Sequence, residues 1–567
     1  MSRIPQGTES ILCLACALLS TFCPASIPAG EPMQRGGKLV LALRSEPKTL
    51  NPLTSLDNPS REVLGRMNAD LITIDRSTQL TVPALAESWS ASPDGKRYTI
   101  KLRSGIRFSD GQPFDADDVI FSFQAYLDER THSPQRDLLI INGAPVQIHK
   151  LNQYAVELDL PSTYATTERI FDGLAMLPRH LLQQSYENGT LSQAWTLNTS
   201  ATAIAGLGPF RLKEYRPGDR IILERNPYYW RKGQPYLGEI EFLFAGDEDA
   251  QVARFLSGET DVMNRVSPKN AAVLRSHGFT VDDVGPSLEY NFLFFNLTPE
   301  ASSPPGTWQA KKWFNQRAFR EAVSLAIDRE SIVKLAFAGL ATPLRVHVTP
   351  GNRNWAAVPP IPPPPASPAE ARKILSAANF SWDHEGLLID STGNRVEFTI
   401  LKSNSNAEHS QMATLIQDDL KSLGITAQVV GLEFRSMVDR VLKTHDYDAA
   451  VMGLGAGDGD PNSEMNVWLS SGSMHLWNPQ QQKPATAWEA EIDDLMHKQE
   501  VELDFKTRRS QYLRIQQIEA EQLPIISLVS PHVLVARSNR VRNWRPAILA
   551  HYTLWNADEL FIADRRP

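Results

Sequence analysis

The chain has 567 residues, more than a single domain usually holds. Its hydrophobic fraction of 42% and charged fraction of 22% are those of an ordinary globular protein, and a formal net charge of −8 excludes a general nucleic-acid binder and an extended basic membrane surface. All three cysteines, Cys13, Cys16 and Cys23, lie ahead of Gly30.

That leading segment reads as a signal peptide over 1–29. Arg3 supplies a weak positive charge, and Ile11-Leu-Cys-Leu-Ala-Cys-Ala-Leu-Leu-Ser-Thr-Phe22 is an apolar run too short to span a bilayer as a helix. Ser26 and Ala29 then occupy the −3 and −1 places of a cut before Gly30. A cut just ahead of Cys23 is the alternative, although Phe22 is bulky for a lipoprotein signal. The two cuts lead to a free periplasmic protein or to a cell-envelope protein anchored by lipid on Cys23. Cys13-x-x-Cys16 imitates a redox motif but sits inside the apolar run and leaves with it. No disulfide, thiolate catalysis or cysteine-ligated metal is therefore expected in the mature chain.

Lys38-Leu-Val-Leu-Ala-Leu43 reads as a short buried strand, followed by a proline-broken loop from Glu46 to Pro52 and helical periodicity over 60–69. Ser92-Pro-Asp-Gly95 is a hairpin turn, with proline setting φ and glycine allowing φ > 0. Tyr98, Ile100 and Leu102 alternate with polar residues as in a half-buried strand. Asp110-Gly-Gln-Pro113 is a second turn. Asp115 sits where a helix cap belongs, with Asp118 three residues on and Val119, Ile120, Phe121 and Phe123 behind it. Farther along, Ala318, Phe319, Ala322, Val323, Ala326 and Ile327 form a helical face. The stretch from Pro359 to Pro368 reads as a polyproline-like surface linker. Further helices are expected over 369–379, 407–423 and 489–521, and strands over 396–401, 426–430 and 447–452. Strands alternating with helices imply α/β lobes.

Within the stretch from Ala86 to Ser122, the chain carries Trp89, Ser92, Asp94, Gly95, Tyr98, Thr99, Leu102, Arg103, Gly105, Phe108, Asp110, Gly111, Pro113, Ala116, Asp118, Val119 and Ser122 in fixed order. This string closely resembles the signature region of the family 5 extracellular solute-binding proteins, the peptide- and nickel-binding receptors of bacterial ABC importers. Gly208-Pro-Phe-Arg-Leu-Lys213, Asn226-Pro-Tyr-Tyr-Trp230, Phe255-Leu-Ser-Gly-Glu-Thr-Asp-Val262 and Asn291-Phe-Leu-Phe-Phe-Asn296 resemble the family as well. The resemblance runs from about Lys38 to about Trp555. It implies an α/β, two-lobed periplasmic-binding-protein fold of class II, in its large three-domain variant with a hinge. The expected layout is a first lobe over 30–69, 196–284 and 523–567, an insertion subdomain over 70–195 and a second lobe over 285–522. The hinge crossings then fall near 285 and 522. The resemblance also implies a monomeric, non-catalytic receptor that delivers a peptide-like solute to an ABC permease, with no cofactor, no metal and no nucleic acid.

Enzyme templates find no support in the residues. There is no His-Glu-x-x-His, no Gly-x-Ser-x-Gly and no Gly-x4-Gly-Lys-Ser/Thr, and none of the 12 histidines pairs with a second at helical ligand spacing. The segment from Tyr447 to Pro461 stands apart, with glycines at 453, 455, 457 and 459 following a strand. Asp458, Asp460 and Asn462 begin like a calcium loop, but Ser463 replaces the required glycine and Leu469 the bidentate glutamate. In peptide-binding relatives the matching loop places a tryptophan at Leu454 and, at Gly457, an aspartate that pairs with the ligand's α-ammonium. The resemblance thus points to Gly453, Leu454, Gly455 and Gly457 as ligand-contacting backbone. Either Asp458 takes over the ammonium or the ligand has none there. Asp458 and Asp460 otherwise read as caps of a helix starting near Asn462, and Trp477 reads either as a ligand contact or as core. Two alternatives stay open: a non-peptide solute such as an oligosaccharide, opine or metal chelate, and a secreted hydrolase using Asp458 and Asp460 as an acid/base pair.

Overall fold

The computed structural model describes residues 35–299 and 312–563. The expected signal peptide, with Cys13, Cys16 and Cys23, lies outside the described residues.

Leu39, Leu41 and Leu43 are buried along Lys38–Leu43, as the alternation requires. This strand lies parallel to Glu239–Phe244 and, on its other side, to Val262–Met263. Phe210–Arg216 and Arg220–Arg225 extend that sheet as an antiparallel pair. In the other half of the molecule Glu397–Ser403 lies parallel to both Thr426–Leu432 and Ala449–Gly455. Ala449–Gly455 also pairs antiparallel with Glu289–Phe295. One strand of 13 residues, Ile525–Arg537, joins the halves. Its first part pairs with Glu289–Phe295, and its last part pairs with Thr280–Pro286 and Val262–Met263. The outcome is a continuous 12-stranded sheet.

Side-chain packing divides that sheet into two lobes. Leu39, Leu41, Leu223 and Phe242 share one core with Tyr98, Ile100 and Phe121, so the first lobe and the insertion are one packed body. Phe292, Phe294, Ile400, Ile416 and Ile515 belong to a separate core in the second lobe. A small cluster of Ile74, Leu288, Ala456 and Leu549 closes the junction between them.

The insertion contains the antiparallel sheet Ala86–Ala91, Arg97–Leu102, Ala155–Asp159 and Gln147–Asn152. The turn before its second strand is closed by the Gly95 N–H donating to the Ser92 carbonyl at 2.9 Å. Helix Ala116–Leu127 starts with the expected capping box, in which Asp115 N–H donates to Asp118 Oδ2 at 3.0 Å. Burial pushes the Asp118 carboxyl up to about 6, against the two backbone N–H groups of Asp115 and Arg179 that favour its charge.

One expectation changes. The region 489–521 is not one helix but two, Ala487–Val501 and Phe505–Gln522, because Asp504 caps the second by accepting from Thr507 N–H at 2.8 Å. The return crossing was expected near 522. Leu523 ends the helix with φ 53, and the chain then pairs with the second-lobe strand Glu289–Phe295 from Ile525 to Val529 before passing to the first lobe. The crossings therefore lie side by side at 286–288 and 530–532, where Ser287 N–H donates to the Pro531 carbonyl at 2.9 Å. The proline-rich segment 359–367 carries no helix or strand, and Pro368 opens the helix Pro368–Ala377. Among the described residues no helix is long and apolar enough to cross a membrane.

Candidate functional site

Parallel strands of α/β sheets leave their binding crevice outside their carboxyl ends. In the second lobe those ends are Ser403, Leu432 and Gly455. In the first lobe they are Leu43, Phe244 and Met263. The two rims meet across a shared cleft. A cavity of about 460 Å³ is lined by Glu248, Asp249 and Lys269, from segments that follow Phe244 and Met263, and by Leu335, Ala336 and Glu408 of the second lobe. Arg265 of the first rim also pairs with Glu289, where the second lobe begins, at 2.8 Å.

Ala449–Gly455 is the strand expected to offer backbone to a ligand. It pairs with Glu397–Ser403 only at Ala449 and Ala450, so the flank from 451 to 455 continues past its neighbour. Gly453 lies opposite Asn291 in the ladder to Glu289–Phe295. A Cβ at Gly453 would lie 2.6 Å from Asn291 Oδ1 and 3.3 Å from His409 Nε2. His409 stands in the first turn of Ala407–Lys421 and its Nε2 lies 2.9 Å from Asn291 Oδ1, so that Nε2 carries the proton. Burial pushes this imidazole down to about 4, with Glu289 opposing, and it is neutral at pH 7. Gly453→Val is therefore expected to displace both Asn291 and His409. Its ligand affinity should fall at least tenfold by calorimetric titration, whereas Gly455→Ala, whose Cβ meets nothing closer than Glu289 at 3.8 Å, should bind within about twofold of wild type.

Leu454 is half-buried and packs on the second-lobe core. Gly455 is exposed on the rim. Gly457 adopts φ +52, and a Cβ there would press on Ser463 at 3.0 Å, so the turn favours glycine. Asp458 is not a free carboxylate. Arg169 of the insertion donates from Nε to Asp458 Oδ2 and from Nη2 to the Asp458 carbonyl at 2.6 Å, and Asp460 N–H donates to Asp458 Oδ1 at 3.0 Å. Burial disfavours the Arg169 charge, but Asp458 and Asp460 outweigh it and hold the guanidinium pKa above its ordinary value. Asn462 Nδ2 donating to Thr166 Oγ1 at 3.2 Å, and Ala165 N–H donating to the Glu500 carbonyl at 2.8 Å, join the same two bodies.

Asp460 does cap the turn at Pro461–Glu464, through Asn462 N–H at 3.0 Å, but it also receives Arg508 Nη2 at 2.6 Å and Nη1 at 2.8 Å. The two aspartates thus point to different arginines and do not form an acid/base pair. Trp477 is buried in the second-lobe core: it is 0% exposed, its ring lies 5.5 Å from that of Trp468, and its Nε1 donates to Glu489 at 3.3 Å. Among the described residues no group of three or more His, Cys, Asp or Glu side chains is placed to hold a metal ion.

Sequence reasoning passed over His409, Asn291, Arg169 and Phe434. Phe434 opens the short helix that follows Thr426–Leu432, under a Glu433 cap accepting from Ser436 N–H at 3.0 Å, and is 53% exposed at that rim. An aromatic just past the carboxyl end of a parallel strand was the available signal for Phe434. The other three carry none that a single sequence shows.

Comparison with known proteins agrees with this architecture. Residues 81–475 match the model of the bacterial extracellular solute-binding proteins, family 5. The chain is 27% identical over 558 residues to a probable ABC transporter-binding protein of Deinococcus radiodurans, covering 92% of this chain and 91% of that one. It is 24% identical over 535 residues to the oligopeptide-binding protein AppA of Bacillus subtilis, covering 93% and 92%. The crystal structure of the ABC transporter substrate-binding protein CtaP from Listeria monocytogenes superposes with a TM-score of 0.76 at 22% identity, covering 94% of this chain and all of that one.

Proposed function

Because the chain belongs to the bacterial extracellular solute-binding proteins of family 5, we propose that it captures an extended, peptide-like solute between its lobes and passes it to the membrane permease of an ABC importer. The observation that carries this reading is the flank of Ala449–Gly455 that runs beyond its neighbouring strand on the cleft rim. Such an edge takes an extended main chain by strand addition, and side-chain pockets beside it supply selectivity. Half-exposed Phe434 offers one such surface. The names of the curated relatives support a peptide ligand, and the absence of any paired acid and base in the 456–464 loop favours binding over turnover.

Export fits this role, with cleavage before Gly30 or acylation at Cys23. The hinge lies in the adjacent crossings at 286–288 and 530–532, and the lobes close about them as periplasmic binding proteins do. Ligand biases closure only through contacts made in the closed state. Native mass spectrometry of protein purified from its own host should show a bound peptide-sized mass. Adding that solute at about 100 times its Kd should stabilise the fold by roughly 2.7 kcal/mol and reduce the radius of gyration in small-angle scattering. Binding with an unchanged radius would rule out closure, and turnover of the solute would replace the receptor reading with an enzyme.

A further inference from the structure

Every carboxylate of the 456–464 loop is already held by the protein. Asp458 takes Arg169, Asp460 takes Arg508 at 2.6 and 2.8 Å, and Glu464 accepts from the Tyr290 hydroxyl at 2.7 Å. Arg508 and Tyr290 belong to the same lobe as the loop. Arg169 does not: it comes from the insertion, on a 3-10 turn at Thr167–Phe171, and crosses the junction between the two bodies. Besides its two contacts to Asp458, its Nη1 donates to the Gln79 carbonyl at 3.2 Å. The side chains of Arg169 and Asp458 are only 15% and 32% exposed.

A guanidinium stays charged across the physiological range and, in this part-buried place, its partner cannot serve a second cation without leaving Arg169 uncompensated. We propose that Arg169 is a specificity-determining residue that supplies the loop's counter-ion from within the protein, so that the cleft favours peptide-like solutes bringing no cationic group to this loop. A peptide with a blocked or neutral amino end fits. One with a free α-ammonium there must compete with a tethered guanidinium. This inference rests on the peptide-like reading above.

The test is calorimetric titration of the full chain with trialanine and N-acetyl-trialanine. Wild type should bind the acetylated peptide at least as tightly as the free one. In Arg169→Met the free-to-acetylated affinity ratio should rise at least tenfold, because Asp458 is released to the ammonium, and Arg169→Met/Asp458→Asn should return the ratio to the wild-type value. A ratio unmoved in Arg169→Met, with both peptides binding, would overturn the proposal and leave the peptide reading standing. A wild type that already prefers the free peptide tenfold would also overturn it, and this arm decides the matter even where Arg169→Met does not fold. If neither peptide binds any variant, the peptide reading fails and the selection falls with it.

Discussion

Asp460→Ala is expected to lower stability by about 3–5 kcal/mol, far more than the roughly 1 kcal/mol of a lost helix cap. Asp460 is 3% exposed and Arg508 5%, and the two meet in a bidentate pair. Arg508 also donates to the Gln499 carbonyl and to Asn462 Oδ1, and lies over the Trp355 ring at 4.9 Å. Removing the carboxylate strands this guanidinium with its charge uncompensated and takes from Nη1 its Asp460 acceptor. Asp460→Asn keeps the cap acceptor and should recover about 1 kcal/mol of the loss. Arg508→Met/Asp460→Leu should be less damaged than Asp460→Ala, since replacing both members of a buried pair by apolar groups is often tolerated. Denaturant unfolding at pH 7 measures all three. A loss near 1 kcal/mol for Asp460→Ala would show that the cap, and not the ion pair, is the main contribution.

Acid is expected to weaken the protein through His409. Its imidazole is pushed by burial from an ordinary 6.5 down to about 4. The unfolded chain takes up that proton near pH 6.5, whereas the folded chain refuses it until about pH 4. Stability from this group is therefore whole above pH 6.5 and is lost as pH falls towards 4, by up to about 3 kcal/mol. His409→Gln can still donate to Asn291 and has nothing to titrate. The stability gap between pH 7.5 and pH 4.5 should be smaller in this variant by about 2 kcal/mol. Equal gaps in variant and wild type would show that His409 is not the group responsible.

The strand–turn–helix from Ala86 to Leu127 was legible because its causes are local. Gly95 closes its own turn, and Asp115 and Asp118, three residues apart, form the capping box of one helix. The same holds for Lys38–Leu43, whose alternation and burial agree. The candidate site was legible only as backbone. Gly453 and Gly457 advertise a close approach and a turn, but Asp458 and Asp460 look alike in sequence, and their fates are set by partners 289 and 48 residues away. Trp477 follows the glycine loop closely enough to suggest a pocket wall, yet Trp468, His475 and Glu489 draw it inward. The exact place of the return crossing was hidden for a similar reason. Ile525-Ile-Ser-Leu-Val529 reads as a buried strand of either lobe, and only its register with Asn291–Phe294 assigns it.

The strand Ile525–Arg537 has a consequence for how the chain is made. It lies between Val262–Met263 and Glu289–Phe295 in the sheet, yet in sequence it follows both by more than two hundred residues. Until the ribosome has released it, the first-lobe strands lack a neighbour beyond Met263 and the second-lobe strands lack one beyond Glu289–Phe295. Pairings of such long sequence separation form slowly, because the loop must close before any contact rewards it. Each half thus presents an unpaired central edge until Ile525–Arg537 is made, which delays stable folding of either half.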